Sequence, residues 1–506
     1  MPMVLRGVSH TLWLAGLCLL AGCASVGPDY TAPQVELADR WQAALPHAGE
    51  TGTLLGWWMR FNDPALTELL IRAEADSPNL AEAVARIDEA RAGLTVAGAG
   101  HLPVVNAGVQ SIRNNIATPN VVPAQTTRSA TIDAAWEIDI FGRVRRSGEA
   151  ADARLEMQEN NWHAARVSLA AEVAGKYVDY RACRLLAQAF TRDVKSRQES
   201  ARITDIAAQA GLVAPADAQL ARAGAADTAS ALTAQQAVCD ITVKSLVTLT
   251  DMNEPAMRRL LQEGRAAIPQ PVAFSVDSLP VALLSQRPDL AASERELAAA
   301  SADIGVAEAS RFPRLSLLGN LEVDKTRIGG ASNGTTIVTK PWSFGPALSL
   351  PLFNGGALAA RQSEAEARYA QALARYRKAT RAAVEEVETA LVNLDSATQR
   401  AAYAHTASES FSAYFKAAET NWHSGGLSLL LLEEARRSAT AAERNEIMLQ
   451  RDQVLHWIAL YKALGGGWNT AVPAETSTSS ASTDANMNTN TDTKNPPPLN
   501  TPGEPE

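Results

Sequence analysis

The chain has 506 residues and a formal net charge of −9, with 46 Lys and Arg dispersed among 55 Asp and Glu. This balance excludes the one-sign basic surface of a nucleic-acid-binding protein. Beyond Cys23 no stretch offers the ~18 consecutive apolar residues of a transmembrane helix, so a bilayer crossing would need strands closed into a barrel.

The N-terminus comes first. Arg6 precedes an apolar run from Thr11, which closes at Leu20-Ala21-Gly22-Cys23. A basic residue, a short apolar core and small residues before a cleavage point are what a secretory signal peptide needs, expected here over 1–22. The cysteine directly after Leu-Ala-Gly resembles the bacterial lipoprotein box, which implies that Cys23 is acylated and begins the mature chain. With Ala24 rather than Asp next, that resemblance implies an outer-membrane destination and a lipidated N-terminal segment over 23–62.

The mature chain of roughly 480 residues exceeds what one core organises, so a repeated unit is expected. Self-comparison supplies one. Asn79-Leu80-Ala81 followed by Leu102-Pro103 matches Asp289-Leu290-Ala291 followed by Phe312-Pro313; Leu80 and Leu290, like Pro103 and Pro313, stand 210 residues apart. Ile140-Phe141-Gly142 then matches Leu352-Phe353-Asn354, and Gly211-Leu212 matches Gly426-Leu427. Each half, 63–268 and 269–468, therefore reads as a helix, two strand-like segments, a very long helix, a glycine break and another long helix.

Asp63-Pro64 and Ser77-Pro78 place a capping side chain before a proline at the first helical position, where its missing N–H costs nothing. From about Gly148 to Ala210, and from about Gly356 to Trp422, no proline occurs, and at 1.5 Å per residue such runs reach roughly 90 to 100 Å. Leu169, Val173, Tyr180, Cys183, Ala187 and Phe190 recur at three-and-four spacing, the seam of side-by-side helices. Lys176 interrupts it.

The strand-like segments are expected over about 104–113, 129–141, 314–324 and 342–353. In the second, Ile132, Ala134, Trp136, Ile138 and Ile140 alternate against Asp133, Ala135, Glu137 and Asp139. Leu315, Leu317, Leu321 and Val323 oppose Ser316, Asn320, Glu322 and Asp324 in the third. In the fourth, Trp342, Phe344, Pro346, Leu348, Leu350 and Leu352 oppose Ser343, Gly345, Ala347, Ser349 and Pro351. The first is the weakest of the four. A soluble half-buried sheet gives the same alternation, but each segment also has the 9 to 11 residues of a tilted transmembrane strand. Four strands cannot close a barrel when the smallest have about eight, and open edges are not tolerated in lipid. Several copies must share one barrel; three would supply twelve strands.

Taken together these features resemble the outer membrane efflux protein family, the TolC-like and OprM-like channels, in its NodT-type lipoprotein branch. The resemblance runs from about Cys23 to Trp468. It rests on Val26-Gly27-Pro28-Asp29-Tyr30, on Trp58 with Phe61-Asn62-Asp63-Pro64-Ala65-Leu66, and on Ala83 to Ala92 ending in Leu102-Pro103. Further marks are Arg287-Pro288-Asp289-Leu290, Phe312-Pro313, Leu352-Phe353-Asn354-Gly355-Gly356 and Ala463-Leu464-Gly465-Gly466-Gly467-Trp468. It implies a mostly α protein with a membrane β-barrel portion: a homotrimer with a twelve-stranded barrel, four strands per protomer, above a long barrel of α-helical hairpins. It also implies the exit duct of a tripartite pump, joined by a periplasmic adaptor to an inner-membrane transporter of RND type. Protein secretion of the type I kind is the alternative within this reading, and a purely structural periplasmic scaffold the alternative outside it.

The glycine breaks then fall at the periplasmic tips. In the family such tips dock the adaptor, which implies that role for Gly211, Leu212, Val213, Gly425, Gly426, Leu427 and Ser428. A family pattern of leucine, acid four residues on, then arginine maps the resting constriction onto Leu430, Glu434 and Arg437, one face of a helix. The family usually has Asp where this chain has Glu434. Cys183 lies 29 residues before Leu212 and Cys239 27 after it, so antiparallel helices bring the two nearly level and make a disulfide sterically plausible in the periplasm.

No catalytic constellation accompanies these features. His10, His47, His101, His163, His405, His423 and His456 show no paired metal spacing, and neither Gly-x-Ser-x-Gly nor a phosphate loop occurs. No metal, and no cofactor beyond lipid on Cys23, is expected. After Thr470 the chain turns to Ser, Thr, Asn and Pro, which cannot bury a core, so 469–506 reads as a disordered tail.

Overall fold

Two helices of 67 residues each, α3 (Arg143–Gln209) and α7 (Ala357–His423), run about 100 Å and are the longest elements among the described residues. The structure, a computed structural model, describes residues 25–33, 41–43, 56–114, 124–264, 266–271, 286–329 and 334–467. Cys23, the signal segment 1–22, Trp468 and the tail 469–506 lie outside them.

The remaining helices are α1 (Pro64–Asp76), α2 (Pro78–Ala99), α4 (Pro215–Thr250), α5 (Glu254–Glu263), α6 (Pro288–Ala309) and α8 (Leu429–Ala463). Asp63 Oδ1 accepts from the amides of Ala65 and Leu66, and Ser77 Oγ from that of Leu80, so both starts written as cap-plus-proline form as the sequence dictates. The two halves carry elements of matching length in matching order: 22 residues in α2 and α6, 67 in α3 and α7, 36 and 35 in α4 and α8. Helix α5, which the sequence reading did not separate out, starts at an Asn253 cap ahead of Pro255 and turns Met257 and Leu261 inward.

The core lies midway along α3. Leu169, Val173, Tyr180, Cys183, Ala187 and Phe190 are all buried, and Tyr177 and Val178 join them because α1, α4 and α8 pack around this stretch. Trp57 stacks on Tyr461 at 4.9 Å and packs edge-on against Phe61. Within this apolar surround runs a buried polar chain: Arg181 Nη2 donates to the Tyr177 hydroxyl, which donates to Asp63 Oδ2, both at 2.7 Å. Arg181 Nη1 also donates to the Leu261 carbonyl. Lys176, the expected flaw in the seam, is half-buried at its margin.

The sheet is antiparallel: β1 (Val104–Asn114), β2 (Gln125–Ile138), β3 (Arg314–Ile328), then β4 (Thr335–Thr339) and β5 (Trp342–Ser349), both on the far side of β3. Five strands stand where four were expected, but β4 and β5 share one register. Asp324 pairs with Thr339 and Leu321 with Trp342, and between them the Glu322 amide donates to the Pro341 carbonyl at 3.0 Å. They are one ribbon interrupted where Pro341 has no N–H to return the bond. That ribbon starts earlier than expected and ends at Ser349; Leu350 and Leu352 fall outside the ladder, next to Pro351. β2 likewise runs over 125–138 rather than 129–141, and β3 extends to Ile328.

Candidate functional site

The site is distributed along the molecule, from the strand ribbon at one end to the helix tips at the other. The ladders align the four alternating patterns. Cross-strand rows run Ala107–Ile132–Leu321–Trp342 and Val105–Ala134–Gly319–Phe344, while Trp136–Leu317–Pro346 and Ile138–Leu315–Leu348 continue them toward the helices. One face is therefore apolar across every ribbon, including the first, whose own pattern was faint. Trp342 and Leu348 are 74% and 70% exposed. The other face is polar: Asn106, Asp133, Asn320 and Ser343 form one row, with Asn320 Nδ2 donating to Asp133 at 2.6 Å. Both rims, β1 and the β4–β5 ribbon, have no further strand beside them among the described residues.

At the helix end of this ribbon the N-terminal residues 25–33 lie against α3 and α6. The Val26 amide donates to the Phe141 carbonyl, just past β2. Arg146, buried, donates to the Val26 and Gly27 carbonyls, pairs with Asp29 at 2.7 Å and with Glu149 at 2.8 Å. Gly27 has φ +90°, and a Cβ there would meet the Gly305 Cα at 2.4 Å, so only glycine lets the strap lie this close to α6.

At the opposite end the long helices reverse. The Gly211 amide donates to the Ala208 carbonyl and the Leu212 amide to that of Ala207, after which Pro215 opens α4. The second reversal repeats this: Gly425 (φ +77°) donates to the Trp422 carbonyl, Gly426 to that of Asn421, and Ser428 Oγ caps α8 by accepting from the Leu431 amide. Gly211, Leu212, Gly425, Gly426 and Ser428 are exposed; Val213 and Leu427 are half-buried. Leu427 packs on Leu432 and Ala435 beneath the tip, so less of it is available to a partner than of Leu212.

Leu430, Glu434 and Arg437 share an exposed face of α8. Glu434 and Arg437 pair at 3.2 Å with side chains 61% and 68% exposed. One residue earlier in each case, Glu433 and Arg436 point the other way, into α3. Arg436 is 2% exposed, pairs with Glu433, donates to Ser200 Oγ at 2.9 Å and lies over the Phe415 ring. Glu433 also receives Arg197, which pairs with Asp193. Burial pushes the Arg436 guanidinium below its ordinary value, opposed by Glu433. This network bolts α8 to α3 directly behind the exposed face. Sequence reading missed it, although the doubled Glu433-Glu434 and Arg436-Arg437 carry its signal at the same three-residue spacing.

Between core and tip, Cys183 and Cys239 are joined in a disulfide, with Cα atoms 5.5 Å apart, linking α3 to α4. Among the described residues no three His, Cys, Asp or Glu side chains gather to hold a metal ion, and no helix is long and apolar enough to cross a membrane.

The chain matches the model of the family described as outer membrane efflux protein over residues 69–250 and again over 279–466. It is 30% identical over 477 residues to the outer membrane protein OprJ of Pseudomonas aeruginosa, covering 92% of this chain and 96% of that one. The pyoverdine export outer membrane protein OpmQ of the same species is 29% identical over 481 residues, covering 91% and 97%. Among solved structures, the outer-membrane channel OprN superposes with a TM-score of 0.76 at 29% identity, covering 88% of this chain and 99% of that one. The chain belongs to the outer membrane efflux protein family, and is an efflux channel of the outer membrane whose long helices extend into the periplasm.

Proposed function

We propose that three copies assemble into one passive exit duct, the outer-membrane member of a tripartite pump for drugs or other small molecules. The observation that carries this reading is the unclosed ribbon, apolar across one face with, among the described residues, an unpaired strand at each rim. In hydrocarbon those rims would each leave a row of backbone groups without partners, at several kcal/mol per group, so copies pool their ribbons until the edges meet. Four ribbons from each of three protomers give twelve strands, within the range of about 8 to 26 for such barrels. The two halves of the chain, matched separately by one family model, are read as a duplicated unit.

The strap supports a lipid anchor on Cys23. Ser25 and Val26 are held at the helix end of the ribbon, so acyl chains on Cys23 would enter the periplasmic leaflet beside it. At the far end, the exposed glycine reversals are the surface offered to a periplasmic adaptor, which links the duct to an inner-membrane transporter. Three copies of the Leu430, Glu434 and Arg437 face around an axis make a narrow charged ring that holds the resting channel shut and favours cations.

The test is conductance of the purified full-length protein in a planar bilayer. Wild type is expected to show rare small openings and Glu434→Ala or Arg437→Ala a severalfold larger conductance. Crosslinking in native membranes is expected to stop at trimers. Only single polypeptides after crosslinking, or no channel in any variant, would sink the proposal.

A further inference from the structure

The ladder register sorts the charges of the ribbon by face. On the polar face stand Asp133, Glu137, Glu322 and Asp324, with Arg314 paired to Glu137 at 3.6 Å. On the apolar face every charged residue is a cation: Arg113, Arg128, Lys325, Arg327 and Lys340, all exposed. These five are also gathered at one end. The row Val109–Ala130–Val323 is the last apolar one, and Lys340 stands in register beside Val323. Beyond it come Ser111–Arg128–Lys325–Val338 and Arg113–Thr126–Arg327–Thr336. Arg128 and Lys325 lie directly opposite each other, an arrangement that costs stability in a sheet.

Among the described residues Arg113, Arg128, Lys325 and Lys340 have no carboxylate partner, and the connecting segments 115–124 and 329–334 contain no Asp or Glu at all. The belt lies at the hairpin end of the ribbon, since the other end of every ribbon leads to a helix. With the helices in the periplasm, the belt is at the cell-surface edge of the apolar band. From the Leu315 row to the Val323 row that band measures about 20 Å once strand tilt is allowed for, so the cations fall at the depth of outer-leaflet headgroups.

We propose that this belt binds the phosphate groups of a phosphorylated glycolipid, the lipid A portion of lipopolysaccharide, in the outer leaflet. The proposal rests on the reading that the apolar face meets lipid. Cations ringing a hydrophobic band suit a ligand with acyl chains below and phosphates above, and Arg and Lys are the phosphate-binding side chains. A free anion would use only the upper half of this surface. The like-charge pair Arg128–Lys325 is then a binding device, relieved when a phosphate bridges it.

The test titrates delipidated full-length protein in detergent with bisphosphorylated lipid A, read by native mass spectrometry. Wild type should bind bisphosphorylated lipid A, lose it as salt is raised, and take up neither dephosphorylated lipid A nor inorganic phosphate comparably. R128Q/K325Q/K340Q should weaken binding roughly a hundredfold, at about fivefold for each cation near an anionic headgroup, while R128K/K325R should retain it. Equal binding of dephosphorylated lipid A or of inorganic phosphate by wild type would overturn the proposal without recourse to any variant, as would an unaffected triple variant. Quenching of Trp136 and Trp342 by brominated lipid in reconstituted wild type separates the two readings. Its absence removes the lipid-facing ribbon and the belt together; its presence with no lipid A selectivity removes the belt alone.

Discussion

The middle of the molecule and its strand end are built on opposite terms. Around Tyr177 the polar chain from Asp63 through Tyr177 and Arg181 to the Leu261 carbonyl closes within the same chain, with the buried Arg181 Nε left over, and each large apolar side chain is covered, so this region is built in a single copy. The ribbon also carries large apolar side chains, yet Trp342, Phe344 and Leu348 are exposed and, among the described residues, no strand covers its rims. One region spends its hydrophobic residues on folding; in the proposed assembly the other spends them on a bilayer and on copies of itself. Substitutions in the two should therefore fail in different ways.

The largest effect is expected at Asp63. Its carboxylate caps α1 and accepts from Tyr177, which in turn holds Arg181, 3% exposed. Asp63→Ala removes the cap and leaves the buried Tyr177 hydroxyl, with Arg181 behind it, without the carboxylate that ends their chain, a loss of about 3–5 kcal/mol. Thermal unfolding followed by helical circular dichroism should show it in detergent and membrane alike. The contrasting change is Phe344→Lys, which places a cation mid-band on the apolar face at a cost of about 2–4 kcal/mol in a membrane barrel. Helical melting should be unchanged while insertion into vesicles falls. If Phe344→Lys melted the helices, the division between the regions would be wrong.

Cys183→Ser with Cys239→Ser comes next. The bridge closes a loop across 56 residues of sequence, and its removal is expected to cost about 2–4 kcal/mol. Because it links α3 to α4 within one hairpin, chevron analysis or thermal melting of the helices should register the loss, with trimer assembly unaffected. Two free thiols on denatured, unreduced wild type would show that no such bond forms in the cell.

These contrasts also mark what was legible in the sequence. Cap-plus-proline starts, proline-free runs and period-two alternation are local rules, so α1 to α3 and the second and third ribbons were readable within a few residues. Thr335 to Thr339 was not, since Pro341 splits the ribbon and masks the common register. The Glu433–Arg436 bolt escaped for a different reason. With acids at 433 and 434 and bases at 436 and 437, helical spacing offers two equivalent pairs, and only the packing of α3 against α8 decides which is buried. The cationic belt needed the register as well: Arg113, Arg128, Lys325 and Lys340 share a face only once the ladders are known.

The smallest expected effect lies on the outer surface of the second hairpin. His405 on α7 bonds to Glu446 on α8 at 2.8 Å and lies 3.3 Å from Glu409. The hydrogen bond to Glu446, then the charges of Glu409 and Glu446, raise its pKa above the ordinary 6.5. Folding therefore favours the protonated ring, and the contribution is fully present below pH 6.5 and lost as pH rises through the raised value. The pair is solvent-exposed, so the change is small and screened by salt. Wild type should lose slightly more hairpin stability than His405→Gln between pH 6 and pH 8 at low salt, measured by hydrogen exchange in α7 and α8. A matching loss in His405→Gln would place the titrating group elsewhere on the hairpin.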